Sequence, residues 1–284
     1  MKVGFVGLGM MGSRMAKNIG RAGYPLMVYD MNKSNSESIL KQVNSSNVSI
    51  ASSIDEIADK SNVIITMVPA SKEVKECLLG KNNRNGILSI AKAGSLVIDC
   101  STIDPDVSVE LNDIAKNKGI AMIDAPVSGG VNGADAGTLT FMVGGLDVNV
   151  EKARPLLEAM GKKIVHCGGP GTGGITKLCN NLALAIQMIG TAEALALGKK
   201  LGMDPKKLSE VMSTSTARCW SVDTYNPCPG VMENVPSSRN YEGGFSCSLM
   251  EKDIGLAIKG IIIIFPYISI AINIFLNSWF TCQG

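Results

Sequence analysis

The sequence predicts an α/β protein: a doubly wound, Rossmann-type parallel sheet followed by an all-helical second domain that is incomplete in this chain. Three observations predict it. Short apolar runs alternate with longer amphipathic stretches through the first 165 or so residues, the pattern of parallel strands joined by crossover helices. A glycine turn, Gly7-Leu8-Gly9-Met10-Met11-Gly12, separates the first apolar run from the first amphipathic stretch. Beyond a breaker-rich segment at Gly168 to Gly174, the texture changes to about 27 residues of continuous helix-compatible sequence ending near Leu201.

Taken in order, Lys2 to Val6, Leu26 to Tyr29, Val63 to Val68, Leu96 to Cys100 and Met122 to Asp124 read as strands. Met11 to Arg21, Asp55 to Lys60, Ser71 to Leu79 and Pro105 to Lys118 read as the helices between them, several with Ser or Asp placed to cap them. Thr140 to Val143 and Ile164 to Cys167 are further strands around a helix from Val148 to Met160. Asp204-Pro205 supplies a cap and a first-turn proline for a helix to about Ser213; residues 214 to 248 are loop-rich, and a last helix begins near Leu249. The expected domains are residues 1–167, 168–259 and an apolar tail at 260–284.

Composition bounds the function. With 284 residues, 45% hydrophobic and 18% charged, the chain can bury a sizeable core, which excludes disordered, collagenous and small disulfide-scaffold classes. The net charge of +2 is dispersed, leaving no electrostatic footprint for nucleic acid. Eight scattered cysteines form no C-x-x-C pair and His166 is the only histidine, so no metal site is expected and the thiols read as reduced, buried groups of an intracellular protein. Met1-Lys2-Val3 runs straight into an apolar strand, so no secretory or transit leader is expected.

The glycine turn has a chemical rationale. Gly7 permits the tight turn, Gly9 lets a pyrophosphate approach backbone N–H groups, and Gly12 lets the helix pack close to the strand. Asp30 ends the second strand 18 residues after Gly12, where a carboxylate accepts hydrogen bonds from the adenosine ribose hydroxyls and repels a 2′-phosphate. That favours NAD over NADP, with Lys33 nearby leaving some tolerance for the phosphorylated cofactor. Ser128-Gly129-Gly130, closing Asp124-Ala125-Pro126-Val127, is either an ordinary turn or an anion nest for a small carboxylate. Lys177 falls in the first turns of the long helix with Asn181 at i+4 on the same face. It is either a solvated surface lysine or an amine whose pKa the helix dipole and a nicotinamide cation lower from roughly 10.4 toward the range of about 7 to 8 suited to proton transfer.

Together these segments, with the Gly-x-x-x-Lys-x-x-Asn-Asn helix, resemble the β-hydroxyacid dehydrogenase family from residue 1 to about 259. Arg218-Cys219-Trp220-Ser221, Asp223 to Pro227, Pro229 to Met232 and Asn240 to Phe245 resemble the branch acting on 3-hydroxyisobutyrate. The resemblance implies cofactor contacts from Val68, Pro69 and Thr102 and from Lys252, a substrate-carboxylate turn at Ser128, Gly129 and Gly130, a substrate-orienting amide at Asn181, and Lys177 as the catalytic acid/base. It implies NAD-dependent oxidation of a small 3-hydroxy acid, 3-hydroxyisobutyrate, to methylmalonate semialdehyde in valine breakdown, without a metal. Trp220 and Asp223 to Pro227 suit a methyl-bearing substrate. It also implies a homo-oligomer, dimer or tetramer, and by the family's eukaryotic members the mitochondrial matrix, with the cytoplasm as the alternative.

Two alternatives stay open: a reductase of tartronate or succinate semialdehyde on the same scaffold, and an inactive dinucleotide-binding protein. The second arises because Gly260 to Gly284 carries no charge and departs from the family, whose members finish the helical domain there. That run is expected to be a membrane anchor, a buried strand or interface segment (Ile261 to Ile264 being β-branched), or an abnormal terminus that weakens dimer and pocket.

Overall fold

The computed structural model describes residues 1–43, 46–82 and 84–264, the last five of these as helix backbone alone. The chain divides into two compact units, Met1–Lys177 and the segment from Leu178 onward.

The first unit runs β1 (Val3–Val6), α1 (Gly12–Arg21), β2 (Leu26–Tyr29), α2 (Lys33–Val43), β3 (Val48–Ile50), α3 (Ile54–Lys60), β4 (Val63–Thr66) and α4 (Ser71–Leu79). A small hairpin, β5 (Gly80–Lys81) and β6 (Arg84–Asn85), then leads through α5 (Ile87–Ile90) to β7 (Leu96–Asp99), α6 (Pro105–Asn117) and β8 (Ala121–Asp124). The unit closes with β9 (Val127–Ser128), α7 (Gly130–Ala136), β10 (Leu139–Gly144), α8 (Asp147–Met160), β11 (Gly161–Gly168) and the start of α9 (Thr172–Lys200).

The main sheet has the order β11-β10-β8-β7-β4-β1-β2-β3. From β3 to β8 every pairing is parallel, with Val3 level with both Leu26 and Val63 and Asp99 level with Asp124. This is the doubly wound order, with its switch between β1 and β4, and β10 adds to it antiparallel. β1, β4 and β7 are buried along their whole length, as strands covered by helices on both faces must be. One core, with Phe5, Met15, Ile19, Ile65 and Phe141, fills one side of the sheet, and Ile57, Ile64, Leu78, Val97 and Leu111 belong to a second. Leu26 is 2% exposed, and removing a side chain of this kind costs about 2–5 kcal/mol, so such positions set the unit's stability.

The second unit carries the rest of α9, α10 (Pro205–Thr214), α11 (Trp220–Asp223), a 3₁₀ turn (Pro236–Arg239) and α12 (Cys247–Ile264). Asp204 caps α10 through the Lys206 N–H, as the Asp-Pro pair predicts. Small apolar clusters hold it: Ala185 with Ile254 and Ile258, and Leu195 with Met212 and Val222.

The expected strands and helices are present, some ending inside their predicted limits and others, such as β10 and β11, extending beyond them. α2, β3, the hairpin, α5, β9, α7, α11 and the 3₁₀ turn are additional. Ile261 to Ile264 continues α12 rather than forming a strand, because an established helix gains one hydrogen bond per residue added and overrides a modest β preference. Residues 265 to 284, on which the membrane-anchor, interface and abnormal-terminus expectations fall, lie outside the described residues. Of the cysteines expected to be buried, Cys100 is, whereas Cys179 and Cys247 are exposed.

Candidate active site

In the first unit the candidate residues leave the carboxyl ends of consecutive parallel strands: the glycine turn after β1, Asp30 after β2, Val68 and Pro69 after β4, Thr102 after β7 and the Ser128 turn beyond β8. A doubly wound sheet gathers its ligand-binding loops on that edge.

The glycine turn discriminates between packing and ligand approach. Gly7 has φ +93, and a Cβ there would lie 2.3 Å from the Met67 carbonyl oxygen. A Cβ on Gly12 would lie 2.0 Å from the Gly7 carbonyl oxygen. Both glycines are therefore demanded by the chain itself. Gly9 is not: a Cβ there meets nothing within 4 Å, and the side beyond it is open space. Leu8 is buried beneath the turn, Met10 is exposed and Met11 packs partly on the core. Ser13 Oγ donates to the Gly9 carbonyl and Arg14 Nη1 to that of Met10, each at 2.7 Å, which fixes the loop. No side chain among the described residues caps α1 and its first turn has no acid, so its N–H groups suit the pyrophosphate of a dinucleotide.

Asp30 does more than the sequence suggested. Its Oδ2 accepts the Leu8 N–H at 2.6 Å and its Oδ1 the Asn32 N–H at 2.8 Å, so the carboxylate pins the glycine turn. Oδ1 also accepts from Asn35 Nδ2 at 3.2 Å, so the remaining lone pair on Oδ2 can still receive a ribose hydroxyl.

Behind Val68 and Thr102 lies a carboxylate that sequence reasoning missed. Asp99, 1% exposed, accepts from Thr66 Oγ1 at 2.8 Å and from the Ser101 N–H at 3.1 Å, while Ser101 Oγ accepts the Val68 N–H at 3.0 Å. The loops after β4 and β7 are thus tied through one acid. Burial pushes the Asp99 carboxyl up to about 6, against the opposing hydrogen bonds from Ser101 and Thr66, and neighbouring Asp124 adds to the rise. Because its pKa is higher folded than unfolded, Asp99 contributes most below about pH 4 and loses that contribution as pH rises through about 6. Urea titrations should therefore show Asp99→Asn gaining about 2–3 kcal/mol on the parent between about pH 4.5 and 7.5. A pH-independent difference would contradict this protonation equilibrium.

Asp124 was read only as the end of a strand, and it also seats the long helix. Its Oδ1 accepts the Gly171 N–H at 2.7 Å and its Oδ2 the Gly174 N–H at 2.9 Å, so a buried carboxylate occupies the amino end of α9. Burial raises its pKa, and the N–H groups of Gly171 and Gly174 oppose the rise. Gly144 and Gly173 are glycines because Cβ atoms there would lie 2.5 Å and 2.8 Å from the Asp124 carboxylate oxygens.

Just beyond that seat, Lys177 is 9% exposed, which removes the reading of a solvated surface lysine. Asn181, one turn further on α9, is 2% exposed and donates from Nδ2 to Asp253 Oδ2 at 2.6 Å. Lys252 is half-buried with Nζ 3.2 Å from Asp253 Oδ1. At the candidate carboxylate turn, Ser128 pairs in register with Thr140, and Gly129 and Gly130 follow with φ +130 and +60. Gly130 faces open space, and both glycines are exposed. Trp220 stacks on Tyr225 with ring centroids 4.8 Å apart, and Asp223 pairs with Arg218 at 2.8 Å.

Comparison with known proteins places this arrangement. Residues 2–169 match the family described as the NAD binding domain of 6-phosphogluconate dehydrogenase, and residues 171–261 match NAD-binding of NADP-dependent 3-hydroxyisobutyrate dehydrogenase. A mitochondrial 3-hydroxyisobutyrate dehydrogenase of Mus musculus is 52% identical over 255 residues, 90% of this chain and 74% of that one. An NAD-dependent L-serine dehydrogenase of Pseudomonas aeruginosa is 47% identical over 256 residues, 90% of this chain and 84% of that one. The structure of Mycobacterium tuberculosis 3-hydroxyisobutyrate dehydrogenase with L-serine superposes with a TM-score of 0.83 at 38% identity, covering 92% of this chain and 86% of that one. The fold, the dinucleotide turn and these matches agree: the chain belongs to the 3-hydroxyisobutyrate dehydrogenase branch of the β-hydroxyacid dehydrogenases, NAD-dependent oxidoreductases of small hydroxy acids.

Proposed function

We propose that the chain oxidises 3-hydroxyisobutyrate to methylmalonate semialdehyde, with Lys177 as the general base. The observation that carries the reading is the burial of Lys177 directly after the Asp124-seated start of α9. A solvated lysine has no need of such a seat, whereas a proton-transfer group must be held in place.

In this reading the N–H groups and hydroxyl of Ser128, Gly129 and Gly130 hold the substrate carboxylate, and Asn181 orients the hydroxyl-bearing carbon. Neutral Lys177 accepts the hydroxyl proton as the carbinol C–H bond breaks and the C=O bond forms. NAD, held by Gly7 to Gly12, Asp30, Val68, Pro69, Thr102 and Lys252, supplies the hydride acceptor. Residues 1–167 would serve as the dinucleotide domain and 168–259 as the substrate and dimerisation domain, with assembly as a homo-oligomer proposed from the family resemblance. The mitochondrial matrix is the proposed compartment, on the names of the Dictyostelium and mouse relatives, and the Pseudomonas relative supports the cytoplasm as the alternative.

A second reading, L-serine as substrate, is supported by the Pseudomonas relative's name and by the serine complex of the Mycobacterium neighbour. The two acids differ by a methyl against an ammonium group on the carbon next to the carboxylate. Initial rates with each acid and either cofactor separate them. The proposal expects kcat/KM for 3-hydroxyisobutyrate with NAD to exceed that for serine by about tenfold or more. Equal or higher efficiency on serine would overturn the substrate assignment.

A further inference from the structure

Asp253 is a buried carboxylate with an unusual set of partners. It lies on α12, is 3% exposed, and its Oδ2 accepts the Asn181 Nδ2–H at 2.6 Å. Its Oδ1 is buried without a hydrogen-bond partner among the described residues, although Lys252 Nζ lies 3.2 Å away as an ion-pair partner. Asn181, itself 2% exposed, accepts the Asn180 Nδ2–H at its Oδ1 at 3.2 Å.

An asparagine amide can rotate by half a turn and exchange its donor and acceptor ends at little cost in shape. A carboxylate accepts only. With Asp253 Oδ2 against Asn181, the NH₂ end must face the acid, because the reversed amide would set two oxygens against each other in a dry site. Asp253 therefore decides which end of Asn181 is committed inside the unit and which polar atoms are left for another group. A buried acid set between the Asn181 amide and the Lys252 amine is a polar arrangement that packing alone does not require.

We infer that Asp253 is a positioning residue that fixes the amide orientation of Asn181 for the bound hydroxy acid. The inference rests on the proposed role of Asn181 and extends it to a residue that touches neither substrate nor reacting atoms.

The test is a kinetic cycle in the full chain. Asp253→Asn keeps the side-chain volume but lets both amides flip. It is expected to lower kcat by about 10- to 100-fold, the cost of a small misplacement, with NADH affinity measured by fluorescence staying within about twofold. Asn181→Ala is expected to lower kcat/KM by about 100-fold, and adding D253N to it should change nothing further, because a positioning residue has no effect once its target is gone. Additive losses would assign Asp253 a general structural role and overturn the inference. N181A impaired with D253N at parental activity would overturn it while leaving the site reading intact, whereas N181A at parental activity would remove both.

Should D253N fail to fold, the side-chain amide protons of Asn181 in the unmodified chain decide the matter by ¹⁵N-correlated NMR. One proton shifted downfield and protected from exchange is expected. Two rapidly exchanging protons would overturn the inference.

Discussion

Lys177→Ala should reduce kcat for hydroxy-acid oxidation by about 10³-fold, within the range that a positioned acid/base contributes, while NADH binding stays near the parent's. Alanine is the best helix former, so α9 tolerates the change, although three buried methylenes leave with the amine and lower the thermal midpoint. Lys177→Arg sharpens the prediction. A guanidinium retains the charge and the donors but does not deprotonate in proteins, so it should be as inactive as alanine. If arginine restored activity, Lys177 would be a binding charge and the proton would have to leave through another group.

The second large effect falls on stability. Asp124→Ala leaves the Gly171 and Gly174 N–H groups, both in buried positions, without their acceptor at the end of a helix whose dipole the carboxylate faces. Two orphaned donors at about 1–3 kcal/mol each give a loss of about 3 kcal/mol or more, which lowers the thermal midpoint by roughly 5–10 °C in a chain of this size. Asp124→Asn should cost less, because the amide keeps one acceptor oxygen while turning a donor toward the other N–H. Gly173→Ala should destabilise comparably to the alanine variant, since its Cβ would lie 2.3 Å from the Met142 carbonyl oxygen. Calorimetry or circular dichroism reads all three. An unchanged midpoint for Asp124→Ala would show that the start of α9 is held by something else.

The sequence made the cofactor half legible because its signals are local. The G-x-G-x-x-G turn, the largely apolar β1, β4 and β7, and an acid just after β2 all lie within short windows, and the structure places these elements as expected. α2 escaped notice because only Ser36 and Ile39 are buried along its length, which leaves too thin an apolar stripe to show a helical period. β3 is three residues long and offers no alternation to count.

The buried acids were illegible for another reason. Asp124 meets N–H groups 47 and 50 residues away, Asp99 meets a threonine 33 residues away and Asp253 an asparagine 72 residues away. Spacing along the chain holds no record of such pairs. Lys177 shows the converse: its burial counts against the solvated reading, and burial is a quantity the sequence does not state.

The proposed chemistry depends most directly on where the Lys177 amine lies when substrate is bound. A crystal structure of the chain with NADH and 3-hydroxyisobutyrate measures it. The account predicts Nζ within hydrogen-bond reach, about 3 Å, of the substrate hydroxyl, with the carboxylate on Ser128 to Gly130. An Nζ turned away from the hydroxyl in an otherwise ordered complex would contradict it.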